Sequence, residues 1–158
     1  MSTISTMSRL RMAEPTTVHE DARVTITDFS IGQSAQSTRT ISEADVMAFA
    51  QVSGDFNPVH VDADAAAQSP FGERIVHGML TASLLSALVA SELPGPGAIY
   101  LSQSLEFLRP VRLGDTVTAH VAITAIDESK RQLTLATSVR NARGKNVITG
   151  VALVQLPA

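Results

Sequence analysis

The stretch Thr81-Ala-Ser-Leu-Leu-Ser-Ala-Leu-Val-Ala-Ser-Glu92 has no Pro, no Gly and a single charge, at its last residue. It predicts a helix that is apolar nearly all round. A surface helix carries an apolar stripe, whereas one hydrophobic on most faces must be enclosed by other structure. With its N-terminal flank the segment runs to about 15 residues, short of the roughly 20 that cross a bilayer, so no membrane span is expected. Leu93-Pro94-Gly95-Pro96-Gly97 then stops the helix. Beyond it the chain reads as strands at about 98–108, 115–126, 131–141 and 145–156, separated by Gly114-Asp115, by Asp127 to Lys130 and by Arg143-Gly144-Lys145. Four long strands with short separations predict an antiparallel meander. An enclosed helix followed by such a sheet predicts an α+β domain with the sheet curled around the helix.

Upstream, Val24-Thr-Ile-Thr-Asp-Phe29 alternates apolar and polar residues and reads as a strand; Ser34 to Ile41 is a more polar strand candidate. Ser42 is placed to cap a helix, with Asp45 three residues on and Val46, Phe49 and Ala50 recurring on one face. Gly54, a residue type common just past a helix C-terminus, ends it. Val61 to Ala67 predicts a short helix with Asp62 and Asp64 in its first turn, where the helix dipole favours acids. That role accounts for these two acids better than catalysis does.

The chemistry lies between these elements. In Gly54-Asp55-Phe56-Asn57-Pro58-Val59-His60 an acid and an imidazole flank an Asn-Pro turn. Pro fixes its own φ and drives Asn57 out of the helical region, so the segment folds back and Asp55 can meet His60. A carboxylate and an imidazole within reach of one water are what proton transfer requires. An Asp before Asn-Pro also caps plain turns, and single histidines are common in cores, so the motif alone leaves both roles open. Further on, Ile75-Val76-His77-Gly78-Met79-Leu80 leads into the apolar helix. Amides at a helix N-terminus near Gly78 carry partial positive charge and can hold a developing oxyanion, and glycine lets a ligand approach the backbone. A tight lead-in to a buried helix is the other use for that glycine.

Three segments together resemble the MaoC-like (R)-specific enoyl-CoA hydratases in order and spacing. They are Gly54 to Asp62, Ile75 to Leu80, and Leu105-Glu-Phe-Leu-Arg-Pro-Val-Arg-Leu-Gly-Asp-Thr116, and the similarity spans about Ser34 to Leu156. The resemblance implies a single hot-dog domain over 22–158, its antiparallel sheet wrapped around a long central helix, and a homodimer with acyl-thioester sites near the subunit interface. It implies hydration of trans-2-enoyl-CoA to (3R)-3-hydroxyacyl-CoA and the reverse dehydration. By position, Asp55 and His60 become the water-activating pair in an apolar setting, and Gly78 the backbone donor to the thioester oxygen. Asn57 supports the turn and, with Phe56, Met79 and Leu80, is assigned to substrate binding. Arg109, Arg112 and Lys130 are candidates for the CoA phosphates. Two other readings share the fold: an acyl-CoA thioesterase, in which water attacks the carbonyl carbon, and a non-catalytic acyl-thioester-binding subunit.

Composition fits a compact enzyme. The chain has 158 residues and is 44% hydrophobic, enough for one domain with a sizeable core. Twelve basic against 15 acidic residues give a net charge of −3, without the basic excess of a nucleic-acid binder. There is no cysteine, which excludes disulfides and thiol nucleophiles. His19, His60, His77 and His120 lack metal-site spacing, so neither metal nor cofactor is expected beyond the CoA of the substrate. Residues 1–21, rich in Ser and Thr with no apolar periodicity, read as a disordered tail more than as an organelle-targeting segment. A cytoplasmic location is the expectation.

Overall fold

The structure, a computed structural model, describes residues 24–157; the tail expected at 1–21 lies outside them. Strands β1 (Ser34–Thr40), β2 (Ile99–Phe107), β3 (Thr116–Asp127), β4 (Gln132–Asn141) and β5 (Asn146–Gln155) form one antiparallel sheet in the order β1-β3-β4-β5-β2. Alternate residues of a strand share a face. On β3 these are Val117, Ala119, Val121 and Ile123, and on β4 Leu133, Leu135 and Val139, each at most 1% exposed. Across that face lies α4 (Gly78–Ser91), packed on β1, β3 and β4, with Leu85, Leu88 and Val89 joining the strand residues in one core. Burial of each of the Val, Leu and Ile side chains contributes about 1.5–3 kcal/mol. This is the expected hot-dog arrangement, and the strand boundaries lie within a residue or two of those read from the sequence.

Four local expectations are corrected. The helix α4 is enclosed on one side only: Ser83, Ser86, Ala87 and Ala90 are exposed. These residues lack charge but carry little apolar area, and Ser83 and Ser91 turn their hydroxyls back to the carbonyls of Leu80 and Ala87. Second, β3, β4 and β5 form a meander, but β2 crosses to the far edge and pairs with β5. The β2–β3 link contains Pro110, which has no N–H to give to a ladder. Its neighbours dock elsewhere: Val111 accepts from the Val76 amide, and Arg112 bridges to Ile75. Third, Val24 to Phe29 is not a strand. Asp28 accepts from the Thr25 amide at 2.7 Å and closes a 3-10 turn over Ile26–Asp28. Fourth, the helix expected at Val61 to Ala67 is two short ones, α2 (Pro58–Val61) and α3 (Ala63–Ala67), split at Asp62, whose carboxylate caps the Asp64 and Ala65 amides at 3.0 Å.

The helix α1 (Glu43–Ser53) begins as its sequence predicts. Ser42 Oγ accepts from the Asp45 amide at 3.2 Å while the Asp45 carboxylate accepts from the Ser42 amide at 2.9 Å. The hydrogen bond from the Ser42 amide holds the Asp45 carboxyl below the usual carboxylate range, helped by the Ser42 hydroxyl and Arg39. A depressed folded-state pKa stabilises the fold above the unfolded carboxylate pKa, and that contribution is lost as pH falls through the lowered value. Ser42→Ala is expected to lower stability by about 1 kcal/mol in urea denaturation at neutral pH. The difference from the parent should narrow as pH falls from about 4 through the lowered pKa of Asp45, where the acid half of the box becomes protonated as well. A constant difference down to pH 2 would dissociate the box from this stability.

Candidate active site

Leaving α1, the chain passes through Gly54, whose φ of +78° is the left-handed conformation that ends the helix. Asp55 follows on this loop. Its carboxylate accepts from the Asn57 amide at 3.1 Å, and the Asn57 side chain accepts from the Val59 amide at 3.3 Å, capping α2. Pro58 takes the first helical position, where its missing N–H is not needed. This single turn carries His60 back towards Asp55. The imidazole is 9% exposed, and its Nδ1 lies 2.8 Å from the Ile75 carbonyl oxygen. A carbonyl can only accept, so Nδ1 donates, which leaves Nε2 as the nitrogen free to face a water. Arg74 fixes the same turn from behind: Nε donates to the His60 carbonyl at 2.7 Å, and Nη1 pairs with Glu43 of α1.

A carboxylate oxygen of Asp55 and ring nitrogens of His60 and His77 lie within 4.8 Å of one another. One water hydrogen-bonded to two such groups, about 2.8 Å from each, spans separations up to roughly 5 Å. The Asp55–His60 pair therefore lies within the span of one water. The same three side chains could also present donors to a metal ion, although each imidazole already spends one nitrogen on a backbone carbonyl.

The pair opens on a cavity of about 540 Å³, in the range of small-molecule sites. Asp55, His60, Gly78 and Met79 line it, with Phe71 and Phe107 among the further walls. Phe56, Asn57 and Leu80 are not among its lining residues. Phe56 is half-exposed, Asn57 caps α2, and Leu80 packs against the core. Asp55 is exposed while His60 is buried, so the apolar setting expected for both surrounds only the imidazole.

Gly78 is the first residue of α4, where amides have no partner within the helix. A side chain there would place its Cβ 2.7 Å from Cε1 of Phe107, closer than such atoms approach. Glycine thus leaves room for the Phe107 ring, which would have to shift to admit a side chain here. Phe107, Arg74 and His77 all stand within or beside the motifs read from the sequence. Their contacts with the site join segments far apart in the chain, and spacing alone carried no sign of them.

Of the three cations considered for phosphates, Arg109 alone lines the cavity. Arg112 pairs with Glu73, and Lys130 Nζ lies 3.6 Å from Asp127. Arg109 donates to the Asn146 carbonyl at 2.6 Å and has no carboxylate partner among the described residues.

The chain is similar to several known proteins. The chain is 50% identical over 131 residues to an (R)-specific enoyl-CoA hydratase of Rhodospirillum rubrum, covering 83% of this chain and 90% of that one. It is 42% identical over 130 residues to a 3-hydroxybutyryl-CoA dehydratase of Methylorubrum extorquens, covering 82% of each. The solved structure of the (R)-hydratase of A. caviae superposes with a TM-score of 0.80 at 48% identity, over 82% of this chain and 98% of that one. With the MaoC-like domain also matched over residues 28–144, the chain belongs to the MaoC-like family.

Proposed function

We propose that the chain catalyses the (R)-specific hydration of trans-2-enoyl-CoA to (3R)-3-hydroxyacyl-CoA, and the reverse dehydration. The observation that carries this reading is the Asp55–His60 pair, within the span of one water at the wall of a cavity that the N-terminus of α4 also lines. The relatives named above support the choice of reaction and its stereochemistry.

An enoyl thioester is electrophilic at C3 because its carbonyl can take up charge as an enolate. The Gly78 amide donates to that oxygen, stabilising charge where it develops. Asp55 takes a proton from water held against His60 Nε2, and the water oxygen bonds to C3. The C2=C3 π electrons pass to the thioester oxygen as an enolate. Its collapse takes up at C2 the proton that left the water, relayed from Asp55 to His60 Nε2 and on to C2, so both side chains return to their starting states. One water is consumed, and nothing is oxidised or reduced, so the reaction requires no cofactor. Arg109, at the cavity wall with no carboxylate partner, is the phosphate contact for CoA. A cytoplasmic location is part of this reading.

The active form is a homodimer. The edge strand β2 leaves backbone groups unpaired, and Ile99, Leu101 and Val151 are exposed on β2 and β5; such edges and patches are commonly covered by another chain. Light scattering at micromolar concentration is expected to give twice the 16.7 kDa chain mass. A mass equal to one chain would overturn the dimer.

Crotonyl-CoA tests the reaction. Loss of the enoyl absorbance without free thiol, with (3R)-3-hydroxybutyryl-CoA found by chiral analysis, is the expected result. Thiol release would mark a thioesterase, and no turnover would mark a binding subunit.

A further inference from the structure

His77 touches each part of this site and has no role in the steps above. It is 1% exposed. It occupies the N-cap position of α4, where Ser, Thr, Asp or Asn side chains usually bond to the first amides, yet its own side chain makes no such bond. Instead its Nε2 lies 2.9 Å from the backbone carbonyl oxygen of Asp55. Since that oxygen can only accept, Nε2 is the protonated nitrogen and donates. The ring centroid lies 4.0 Å from that of His60, with the planes 31° apart, and 5.0 Å from that of Phe49 on α1. The amide assigned as the oxyanion donor belongs to the peptide bond between His77 and Gly78.

We propose that His77 is the positioning residue of the site, acting through Asp55, His60 and the Gly78 peptide rather than on substrate; this rests on the hydratase reading. Asp55 is exposed and sits on a loop, so its side chain has no burial to fix it. The donor from His77 fixes its backbone instead. His60 is held at Nδ1 by Ile75, a bond about which the ring can still tilt, and the face of His77 limits that tilt. A misplacement of about 1 Å in such a pair can cost about 10²-fold in rate.

The unused nitrogen says which property matters. His77 Nδ1 is buried with no hydrogen-bond partner among the described residues. A single N–H at the Nε2 position therefore accounts for the polar role of the side chain. Glutamine carries an amide N–H at about that reach, whereas phenylalanine keeps the ring and lacks the donor.

The test compares His77→Phe and His77→Gln with the parent on crotonyl-CoA, with circular dichroism and thermal melting as fold controls. His77→Phe is expected to lose about 10²-fold in kcat with KM changed less than about threefold, since positioning acts on the chemical step. His77→Gln is expected to recover at least tenfold of that loss and to keep the parent's pH–rate profile. A folded His77→Phe protein with parental kcat would overturn the proposal. So would a His77→Gln protein that is as slow as His77→Phe and has lost one limb of the profile, because His77 would then be exchanging protons itself. If His77→Phe does not fold, His77→Gln decides alone: kcat within about tenfold of the parent with an unchanged profile supports positioning, and a greater loss or a missing limb overturns it. Hydration by the parent is measured first. Its absence would overturn the hydratase reading, whereas an active parent with an equally active His77→Phe would overturn only the role of His77.

Discussion

Asp55→Asn and His60→Asn will each lower kcat for crotonyl-CoA hydration by roughly 10²–10⁴-fold, the range spanned by general acid–base groups. Both substitutions preserve local structure. Asparagine at 55 still offers an oxygen to the Asn57 amide, and asparagine at 60 places an N–H where Nδ1 now donates to Ile75. What each removes is the group facing the water. The double variant is expected to be little slower than the slower single one, because residues that act as a unit lose most of their function when either is removed. Independent groups would multiply their effects. If either single variant kept near-parental turnover, or if the two losses multiplied, the one-water assignment would be wrong.

The second large effect is at the helix N-terminus. Gly78→Pro removes the N–H that is assigned to the thioester oxygen. The backbone tolerates it: Gly78 stands at the first helical position, where Pro is favoured, and His77 has φ −54° and ψ 130°, the extended form that precedes Pro. Any side chain at 78 meets Phe107, however, with Cε1 at 2.7 Å and Cδ1 at 2.8 Å. The comparison must therefore be with Gly78→Ala, which brings the same Cβ and keeps the N–H. The proline variant is expected to have a kcat about 10²–10³-fold below that of the alanine variant, as for loss of one oxyanion donor. Affinity for acyl-CoA should change far less, since the donor acts mainly on the enolate-like transition state. Equal rates in two folded variants would remove Gly78 from the site.

Much of this was legible because it is local. The Ser42–Asp45 capping box, the stop at Gly54, the Asn-Pro turn and the four later strands each depend on residues within a few positions of one another. Period and turn chemistry specify such features directly. The errors have physical causes of the same scale. Thr25 to Asp28 alternates like a strand, but the Asp28 carboxylate offers the Thr25 amide a nearer partner than any neighbouring strand. Asp62 does the same at the start of α3.

By itself the sequence determined most of the elements of this protein, the acid and imidazole five residues apart, and the glycine that opens α4. The tertiary structure decided what those residues meet. It sent β2 to the far edge of the sheet, so the irregular link after it, with Arg109 and Pro110, became a wall of the cavity. It laid Phe107 on Gly78, Arg74 behind His60, and His77 between Asp55 and His60. The reason is that hydrogen-bonding and periodic patterns within a few residues are written into adjacent side chains. A contact across a dozen or more residues depends instead on how the packed core orients whole elements, and no spacing encodes it.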